Sequence, residues 1–324
     1  MTTPARKSSK PSWLTPVAPT VAIEIASRRV TVAELSYTGQ GAVVSACATE
    51  GLPPGAVAPA LTGTNIPQVG VVADALRRAL DKAGLRSTRR CALIVPDSIA
   101  RVSLLPFETL PAKPAELDQL VQWQVKKATP FPLEDARISH FVAQSAGESA
   151  VLAAIVARKD VIAQYEAVTS AVAIHAGIVD LASVNVMNTV IGSGTTMGID
   201  WLLVCVAGEA TTIAILRGQQ LMFYRHRTAL DDEPLPSLVH QTAMYYEDRL
   251  GGSKFARVWL SGASLYEGAT DKASREIAEG LGVPVESVDI RSAAALRDRI
   301  SAGPDVLDTL AAPVGALLRD GKVA

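Results

Sequence analysis

Few residues of this chain combine the types and the spacing that catalysis or metal binding requires. The four histidines form no His-Glu-x-x-His pattern and have no cysteine at ligand spacing, so they predict no metal site. No Gly-x-Ser-x-Gly sequence occurs, so the nucleophile elbow of a hydrolase is absent. The histidines are His140, His175, His226 and His240.

The three cysteines lie in apolar, strand-like runs without the spacing of metal ligands. We expect them to be reduced and buried, as small apolar side chains are in a protein of a reducing compartment. They are Cys47, Cys91 and Cys205.

Two short charged runs have ordinary structural interpretations. Residues 231–233 (Asp-Asp-Glu) precede Pro234, which predicts an exposed loop leading into a helix rather than a cation site. Residues 225–227 (Arg-His-Arg) follow an apolar strand, and we expect an exposed strand end there. The formal charge of the whole chain is −1, which argues against nucleic acid as a partner.

Length and composition predict a protein with a sizeable core. The chain has 324 residues, 48% of them hydrophobic, which suits one large domain or two of ordinary size. It contains no apolar run of about 18 residues that would predict a membrane span. Residues 1–19 are rich in Pro, Ser, Thr and Lys, which predicts a disordered tail; no apolar segment follows its basic residues, so it is not a secretory signal.

The elements that must position any site occur twice in the same order. In each half, three strands joined by short turns are followed by a helix and then by another apolar strand, which predicts a duplicated α/β protein. Gly84 predicts the end of the first helix. The first set spans residues 21–35 (a hairpin), 42–48, 67–83 and 91–95, and the second set spans 198–207, 211–216, 221–225, 235–250 and 258–261.

A further module separates the two halves. It begins with a strand that ends at Pro106, continues with a helix over residues 115–128, and ends with a strand over 151–156 and a helix over 159–175. Pro130 prevents the first of these helices from continuing. We expect that helix to pack one apolar face on the strands of the module. This face consists of Leu117, Leu120, Val121, Val125 and Ala128.

Part of this module resembles the PilM family, the actin-like scaffolds of type IV pilus machines. The resemblance rests on LIVPD at residues 93–97, LLP at 104–106 and TPFPLE at 129–134. The segment LAAPVGALLR at 310–319 is similar to the last helix of the family, and its proline suits a first helical turn. The likeness extends over roughly residues 20–320.

The resemblance implies a fold and a domain organisation. The fold is the actin-like, duplicated ribonuclease-H fold, with two lobes around a cleft and a small α/β module inserted in the first lobe. We expect the lobes and the module at the following positions. The first lobe comprises residues 20–97 and 176–195, the inserted module 98–175, and the second lobe 196–324, after the tail at 1–19.

The resemblance also implies a nucleotide site in the cleft. The superfamily holds ATP with Mg²⁺ between two hairpins whose backbone N–H groups contact the phosphates, together with a glycine-containing loop beside the adenosine. The corresponding residues of this chain are Glu24 and Ser27 in the first hairpin, Gly208, Glu209 and Thr211 in the second, and Gly262 in the adenosine loop.

The chemistry of these positions departs from the family pattern. Glu24 and Ala26 stand where the family has aspartate and glycine, and an alanine costs about 1 kcal/mol if the turn requires positive φ. Cys205 stands where the second hairpin has aspartate, and a thiol is a poor ligand for Mg²⁺. We therefore expect weak or lost ATP binding and little hydrolysis, as in a pseudo-ATPase.

The partner implied by the resemblance is a PilN-like single-pass inner-membrane protein. Its short cytoplasmic N-terminal peptide would lie in an apolar groove beside the inserted module. We expect basic residues at the rim of this groove, and Arg101, Lys126 and Lys127 are the nearest by sequence. The resemblance further implies a cytoplasmic protein on the surface of the inner membrane, with other pilus platform or motor proteins as partners and with self-association.

Two other functions remain open at the level of sequence. An active ATPase or sugar-kinase-like enzyme of the same fold would need acidic residues in the cleft, and the sequence supplies Glu24, Glu209 and Asp97. A type II secretion scaffold similar to GspL would normally continue into a transmembrane helix, and this chain ends without one.

Overall fold

The computed structural model describes residues 18–39, 41–208, 210–228, 234–252, 254–262, 269–297, 300 and 302–321. The strands in these residues are β1 (Val21–Ile25), β2 (Arg29–Thr38), β3 (Gly41–Gly51), β4 (Arg90–Val95), β5 (Ala100–Phe107), β6 (Ala136–Ala146), β7 (Ser149–Arg158), β8 (His175–Leu181), β9 (Asp200–Ala207), β10 (Ala210–Arg217), β11 (Gln220–Arg227), β12 (Arg257–Ser261), β13 (Val285–Ser287) and β14 (Ala295–Leu296). The helices are α1 (Val69–Ala83), α2 (Pro114–Lys126), α3 (Lys159–Ser170), α4 (Ala182–Gly192), α5 (Leu235–Leu250), α6 (Ala269–Leu281), α7 (Pro304–Thr309) and α8 (Ala311–Gly321).

Two sheets repeat the same topology. A six-stranded sheet has the order β14-β3-β2-β1-β4-β8, and a five-stranded sheet has the order β11-β10-β9-β12-β13. In each sheet the first three strands of the repeat are antiparallel, whereas the fourth and fifth run parallel to the first. This confirms the predicted duplication and the actin-like fold of two lobes.

The first sheet is buried on both faces, which is why β1 consists of apolar residues apart from Glu24. Ile23 and Ile25 pack in one core, beneath α1, whereas Ala22 packs in another core with α8. Helix α1 ends at Gly84, whose φ of 72° closes the last turn in the left-handed conformation, as predicted.

The inserted module is a three-stranded antiparallel sheet, in the order β5-β7-β6, with α2 on one face. The helix buries Val121 and Val125 and packs Leu117 partly against the same core, as predicted. The prediction for Leu120 was wrong, because 42% of this side chain is exposed. Buried positions recur every four residues along α2, and Leu120 lies one residue before this stripe, next to the exposed Trp123.

Two helices belong to a different part of the molecule than we predicted from the sequence. The helix predicted over residues 159–175 ends at Ser170, and His175 instead begins β8. Although we placed α3 in the inserted module, its Val161 and Tyr165 lie in the core of the first sheet. Helix α8, which we placed in the second lobe, packs on β1, β2 and α4 of the first.

Helices α4 and α8 connect the lobes and cross each other closely. At the crossing, a Cβ on Gly315 would overlap the backbone carbonyl oxygen of Asn185. Thr189 Oγ1 donates a hydrogen bond to the carbonyl oxygen of Ala311. Glycine at this position therefore allows the two backbones to approach and α8 to pack on the first lobe. In the parts of the chain that the structure describes, no helix has the length and apolar character needed to cross a membrane.

Candidate functional site

The first hairpin brings Glu24 into the cleft on β1. Its side chain is 5% exposed, and its carboxylate accepts a hydrogen bond from the Arg29 guanidinium at 3.2 Å. Burial raises the pKa of Glu24, whereas the Arg29 charge lowers it. Among the described residues, Arg29 Nε is a buried polar atom without a hydrogen-bond partner. The carboxylate is thus held by its own hairpin.

The turn of this hairpin does not require glycine. The backbone N–H of Ala26 donates to the carbonyl oxygen of Arg29 at 2.9 Å, which closes the turn containing Ser27. Among the described non-glycine residues, only Ala173 has positive φ, so Ala26 is unstrained. The conformational free energy that we expected alanine to cost at this position therefore does not arise. The N–H of Ala26 already forms a hydrogen bond within the hairpin.

The second hairpin keeps its glycine, and Cys205 of β9 stands at the position where the resemblance implies an aspartate. Gly208 has φ of 65°, and Thr211 pairs with Val206. Cys205 lies opposite Thr212, and burial raises the pKa of its thiol well above the ordinary value. The nearby carboxylates of the cleft raise the same pKa further, so this thiol stays neutral. Glu209 lies outside the described residues.

The adenosine loop is held by a residue that the sequence did not single out. The backbone N–H of Gly262 donates to both carboxylate oxygens of Asp308, at 2.9 and 2.8 Å, and Ser261 Oγ donates to one of them at 2.7 Å. Gly262 has φ of 81°, and a Cβ there would overlap the carbonyl oxygen of Val206. The glycine is therefore required, and its N–H is already bonded to Asp308.

A buried set of polar side chains, which we call the cleft network, spans the space between the lobes. At its centre, Asp97 Oδ1 accepts from the N–H and the O–H of Ser183 at 3.1 and 2.9 Å. Asp97 Oδ2 accepts from Thr212 Oγ1 at 2.8 Å. The network consists of Asp97, Ser98, Ser183, Thr212, Tyr224 and His226.

His226 occupies this network rather than an exposed strand end, which corrects our expectation for residues 225–227. Its Nδ1 lies 2.9 Å from Thr212 Oγ1 and its Nε2 lies 3.0 Å from Ser98 Oγ. Burial lowers the pKa of His226, and the charge of Asp97 acts in the opposite direction. Side chains alternate along β11, so His226 and Tyr224 lie on one face of the strand, and this pattern could have placed His226 in the cleft from the sequence. No local sequence pattern indicated the role of Asp308.

The residues of the cleft do not fit a Mg²⁺–nucleotide complex. Magnesium that accompanies a nucleotide is usually held by one or two protein carboxylates together with water and phosphate oxygens. The oxygens of Asp97 and Asp308 already accept hydrogen bonds from the protein itself. Glu24 is paired with Arg29, and the remaining position is a neutral thiol. The three carboxylates are thus engaged by other residues of the protein.

A second concave feature, which we call the β8 groove, lies between the inserted module and the first lobe. It encloses about 290 Å³ and is lined by all of β8 except His175, by the end of β4 and by parts of β6, β7 and α3. Among the described strands, β8 lies at the end of its sheet beside β4, and its residues 176–181 line this groove. The side chains that line it include Ile99, Arg137, Ile155, Lys159 and Ile162.

The three predicted rim residues lie elsewhere. Val156 of β7 packs against α2, whereas Ile155 lines the groove, so the groove and α2 lie on opposite faces of the module sheet. Arg101 pairs directly with Val156 and therefore belongs to the α2 face, and Lys126 and Lys127 are exposed at the end of α2. The basic residues that line the groove are Arg137 and Lys159 instead.

Comparisons with known proteins agree with this architecture. A family model described as "Type IV pilus assembly protein PilM" matches residues 22–232. A solved PilM-PilN type IV pilus biogenesis complex is similar over 94% of this chain and 99% of the other, with a TM-score of 0.79 and 16% identity. A Bacteroides thetaiotaomicron protein with an actin-like ATPase fold is similar over 92% and 95%, with a TM-score of 0.51 and 9% identity. Comparison with curated proteins gives no match.

Proposed function

Because the chain belongs to the PilM family of type IV pilus assembly proteins, we propose that it is a scaffold that captures the cytoplasmic N-terminal peptide of a PilN-like membrane protein. The observation that carries this proposal is the β8 groove, which combines a free strand edge with apolar walls. The similar solved structure is a complex of PilM with PilN, which supports a partner of this kind.

The edge of β8 suits an extended peptide. An edge strand presents backbone N–H and C=O groups that a peptide can pair with as an added strand. Alternate side chains of such a peptide would then point to the two walls, where Ile155 lies on the module and Ile162 on α3. Backbone pairing supplies affinity in this mode, and the apolar pockets supply selectivity.

The two walls of the groove carry opposite charges. Arg137 of β6 lines it on the module side, as does Lys159 at the start of α3, whose Nζ donates to the Glu134 carbonyl oxygen of the module. Glu166 of α3 and Asp180 of β8 line it on the first-lobe side. Asp180 also forms an ion pair with Arg319 of α8. An acidic side chain of the peptide would therefore face the module wall, and such charges affect the association rate and its salt dependence more than affinity.

The scaffold would act without nucleotide hydrolysis. In the cleft, Glu24, Asp97 and the N–H of Gly262 are each hydrogen-bonded to another residue of the protein, so we infer weak or lost ATP binding and no ATPase or kinase activity. In this proposal the protein resides in the cytoplasm and is held at the inner membrane through its PilN-like partner.

Filling the groove provides the first test. Ser139 is exposed on β6 and lines the groove, and Ser145 is exposed farther along the same strand outside it. A synthetic peptide with the cytoplasmic N-terminal residues of the PilN-like protein from the same organism serves as the probe in fluorescence anisotropy. We expect Ser139→Trp to weaken binding by about tenfold or more, as loss of a central contact does, and Ser145→Trp to leave it unchanged.

Hydrogen exchange provides a second readout. Bound peptide should slow amide exchange in β8, because those amides become paired. Equal affinity of the two tryptophan variants, together with unchanged exchange in β8, would place the peptide elsewhere. Arg137→Glu and Lys126→Glu then form a matched pair of charge reversals. We expect only Arg137→Glu to reduce the association rate, since Lys126 lies on the opposite face.

A further inference from the structure

The cleft network joins the two lobes by three side-chain hydrogen bonds. Asp97 and Ser98 follow β4 of the first lobe, and they bond Thr212 of β10 at 2.8 Å and His226 of β11 at 3.0 Å. Ser183, in the first turn of α4, bonds the Tyr224 hydroxyl of β11 at 2.9 Å. Each bond therefore connects the first-lobe side of the cleft to the second lobe.

Donor and acceptor capacities order these bonds around one carboxylate. A carboxylate only accepts, so the hydroxyl protons of Ser183 and Thr212 both point to Asp97. Ser183 Oγ must then accept from the Tyr224 hydroxyl, and Thr212 Oγ1 must accept from His226 Nδ1–H. Tyr224 thus donates to Ser183 and His226 to Thr212, and both chains of hydrogen bonds end at Asp97. This makes Asp97 the positioning residue of the network.

Four of the six residues of the network are buried, and Tyr224 and His226 are half-buried. Asp97, Ser98, Ser183 and Thr212 are each at most 9% exposed. Hydrogen bonds to a buried carboxylate are stronger than bonds between neutral groups, and removing one partner leaves the others unsatisfied. The lobes cannot separate here without exposing or breaking this set of bonds.

We propose that the cleft network, centred on Asp97, holds the two lobes together in the absence of any nucleotide. In the superfamily that this chain resembles, ATP lies in the cleft between the lobes. Here side chains of the protein make the connections across the cleft, and at the nucleotide positions Glu24 is bonded to Arg29 and Gly262 to Asp308. Closure is therefore a property of the chain itself and requires no exchange or hydrolysis of a ligand.

Amide hydrogen exchange tests this inference in the full chain without any partner peptide. We expect millimolar Mg–ATP to leave exchange in β10, β11 and α4 of the wild-type protein unchanged. Asp97→Ala should speed exchange in these segments by about tenfold or more, because an uncompensated polar cluster opens readily. Asp74→Ala serves as the matched control, since Asp74 is exposed on α1 and pairs only with Arg77 on the surface.

A milder variant covers the case in which Asp97→Ala fails to fold. Thr212→Val keeps the shape of the side chain and removes one donor to Asp97, so the same segments should exchange several times faster, at about threefold or more. Slower exchange of the wild-type protein in Mg–ATP, by about tenfold, would overturn the proposal. Exchange at wild-type rates in a folded Asp97→Ala or Thr212→Val protein would overturn it as well.

Discussion

Residues at the altered nucleotide positions have structural roles of their own. Glu24 is paired with Arg29 within its hairpin, and the N–H of Gly262 is bonded to Asp308. Cys205 remains a neutral thiol beside three carboxylates, those of Glu24, Asp97 and Asp308. Restoring a family residue at one position would therefore disturb the rest rather than rebuild a metal site.

Cys205→Asp should destabilise the protein. The new carboxylate would lie, half-buried, beside three others, and the nearby Arg29 is already paired with Glu24, so we expect a cost of about 3 kcal/mol. Urea denaturation, with and without Mg²⁺, measures this change. Cys205→Ser is the control for loss of the sulfur atom. If Mg²⁺ restored the Asp variant to wild-type stability, the cleft would be able to hold the ion and our interpretation of it would be wrong.

His226 predicts a pH dependence of stability. Burial lowers its pKa in the folded protein below the ordinary 6.5, so the folded state binds fewer protons than the unfolded state at acidic pH. Its contribution is therefore complete above about pH 6.5 and is lost as the pH falls from there towards the lowered pKa. The charge of Asp97 acts against this lowering of the pKa, and the net direction is downward.

Two histidine variants isolate this effect in urea denaturation from about pH 7.5 to about pH 5.5. His226→Gln should lose less stability on acidification than the wild-type protein. His240→Gln, at an exposed position on α5, should keep the wild-type dependence. Identical pH profiles for all three proteins would show that His226 titrates alike in the folded and unfolded states.

At the scale of elements, helix α2 of the inserted module shows that two consecutive residues can differ completely in burial. Leu120 and Val121 are neighbours on α2, yet Leu120 is 42% exposed and Val121 is fully buried. Val121 packs against the β7 residues Leu152 and Val156, and Leu120 faces away together with Trp123. The helix therefore covers the sheet with a narrower stripe than its apolar residues suggest.

A pair of identical substitutions tests this register. Leu152→Ala removes a side chain that is 1% exposed in the module core and should lower the free energy of unfolding by about 2–5 kcal/mol. Leu120→Ala should change it by less than about 0.5 kcal/mol. Thermal and urea unfolding of both variants measure the difference. A large loss for Leu120→Ala would mean that α2 is rotated from the position described.

At the scale of the whole molecule, the chain passes between the lobes through α4 and returns through α8. Their crossing at Gly315 holds α8 on the first lobe, and the cleft network joins that lobe to the second. The β8 groove lies on the other side of β4, where the module meets the first lobe. The β8 groove, which we propose as the partner site, and the cleft are thus separate features of one framework.

Gly315→Ala should disrupt this framework. The added methyl group would overlap the carbonyl oxygen of Asn185, a backbone atom that cannot move aside as a side chain would. We expect a loss of about 3 kcal/mol or more, seen as a lower melting temperature. Gly70→Ala on α1 has no atom within 4 Å of the new Cβ and should be neutral or slightly stabilising. Equal stability of the two variants would contradict the close crossing.

Much of the architecture follows from the sequence alone. Apolar periodicity placed the helix over residues 235–250 with its observed bounds, and glycine signalled the end of α1 at Gly84. The repeated order of elements predicted the duplicated fold. These features depend on the spacing of apolar residues and on backbone preferences, which are properties of short segments of the sequence.

Only the tertiary structure decided which polar groups meet and which faces remain open. Asp97 and Thr212 are 115 positions apart and Gly262 and Asp308 are 46 apart, so no local pattern relates them. The same holds for the basic side chains that line the β8 groove, Arg137 and Lys159. Local patterns specify strands and helices, but contacts between distant elements are set by how the lobes and the module pack against one another.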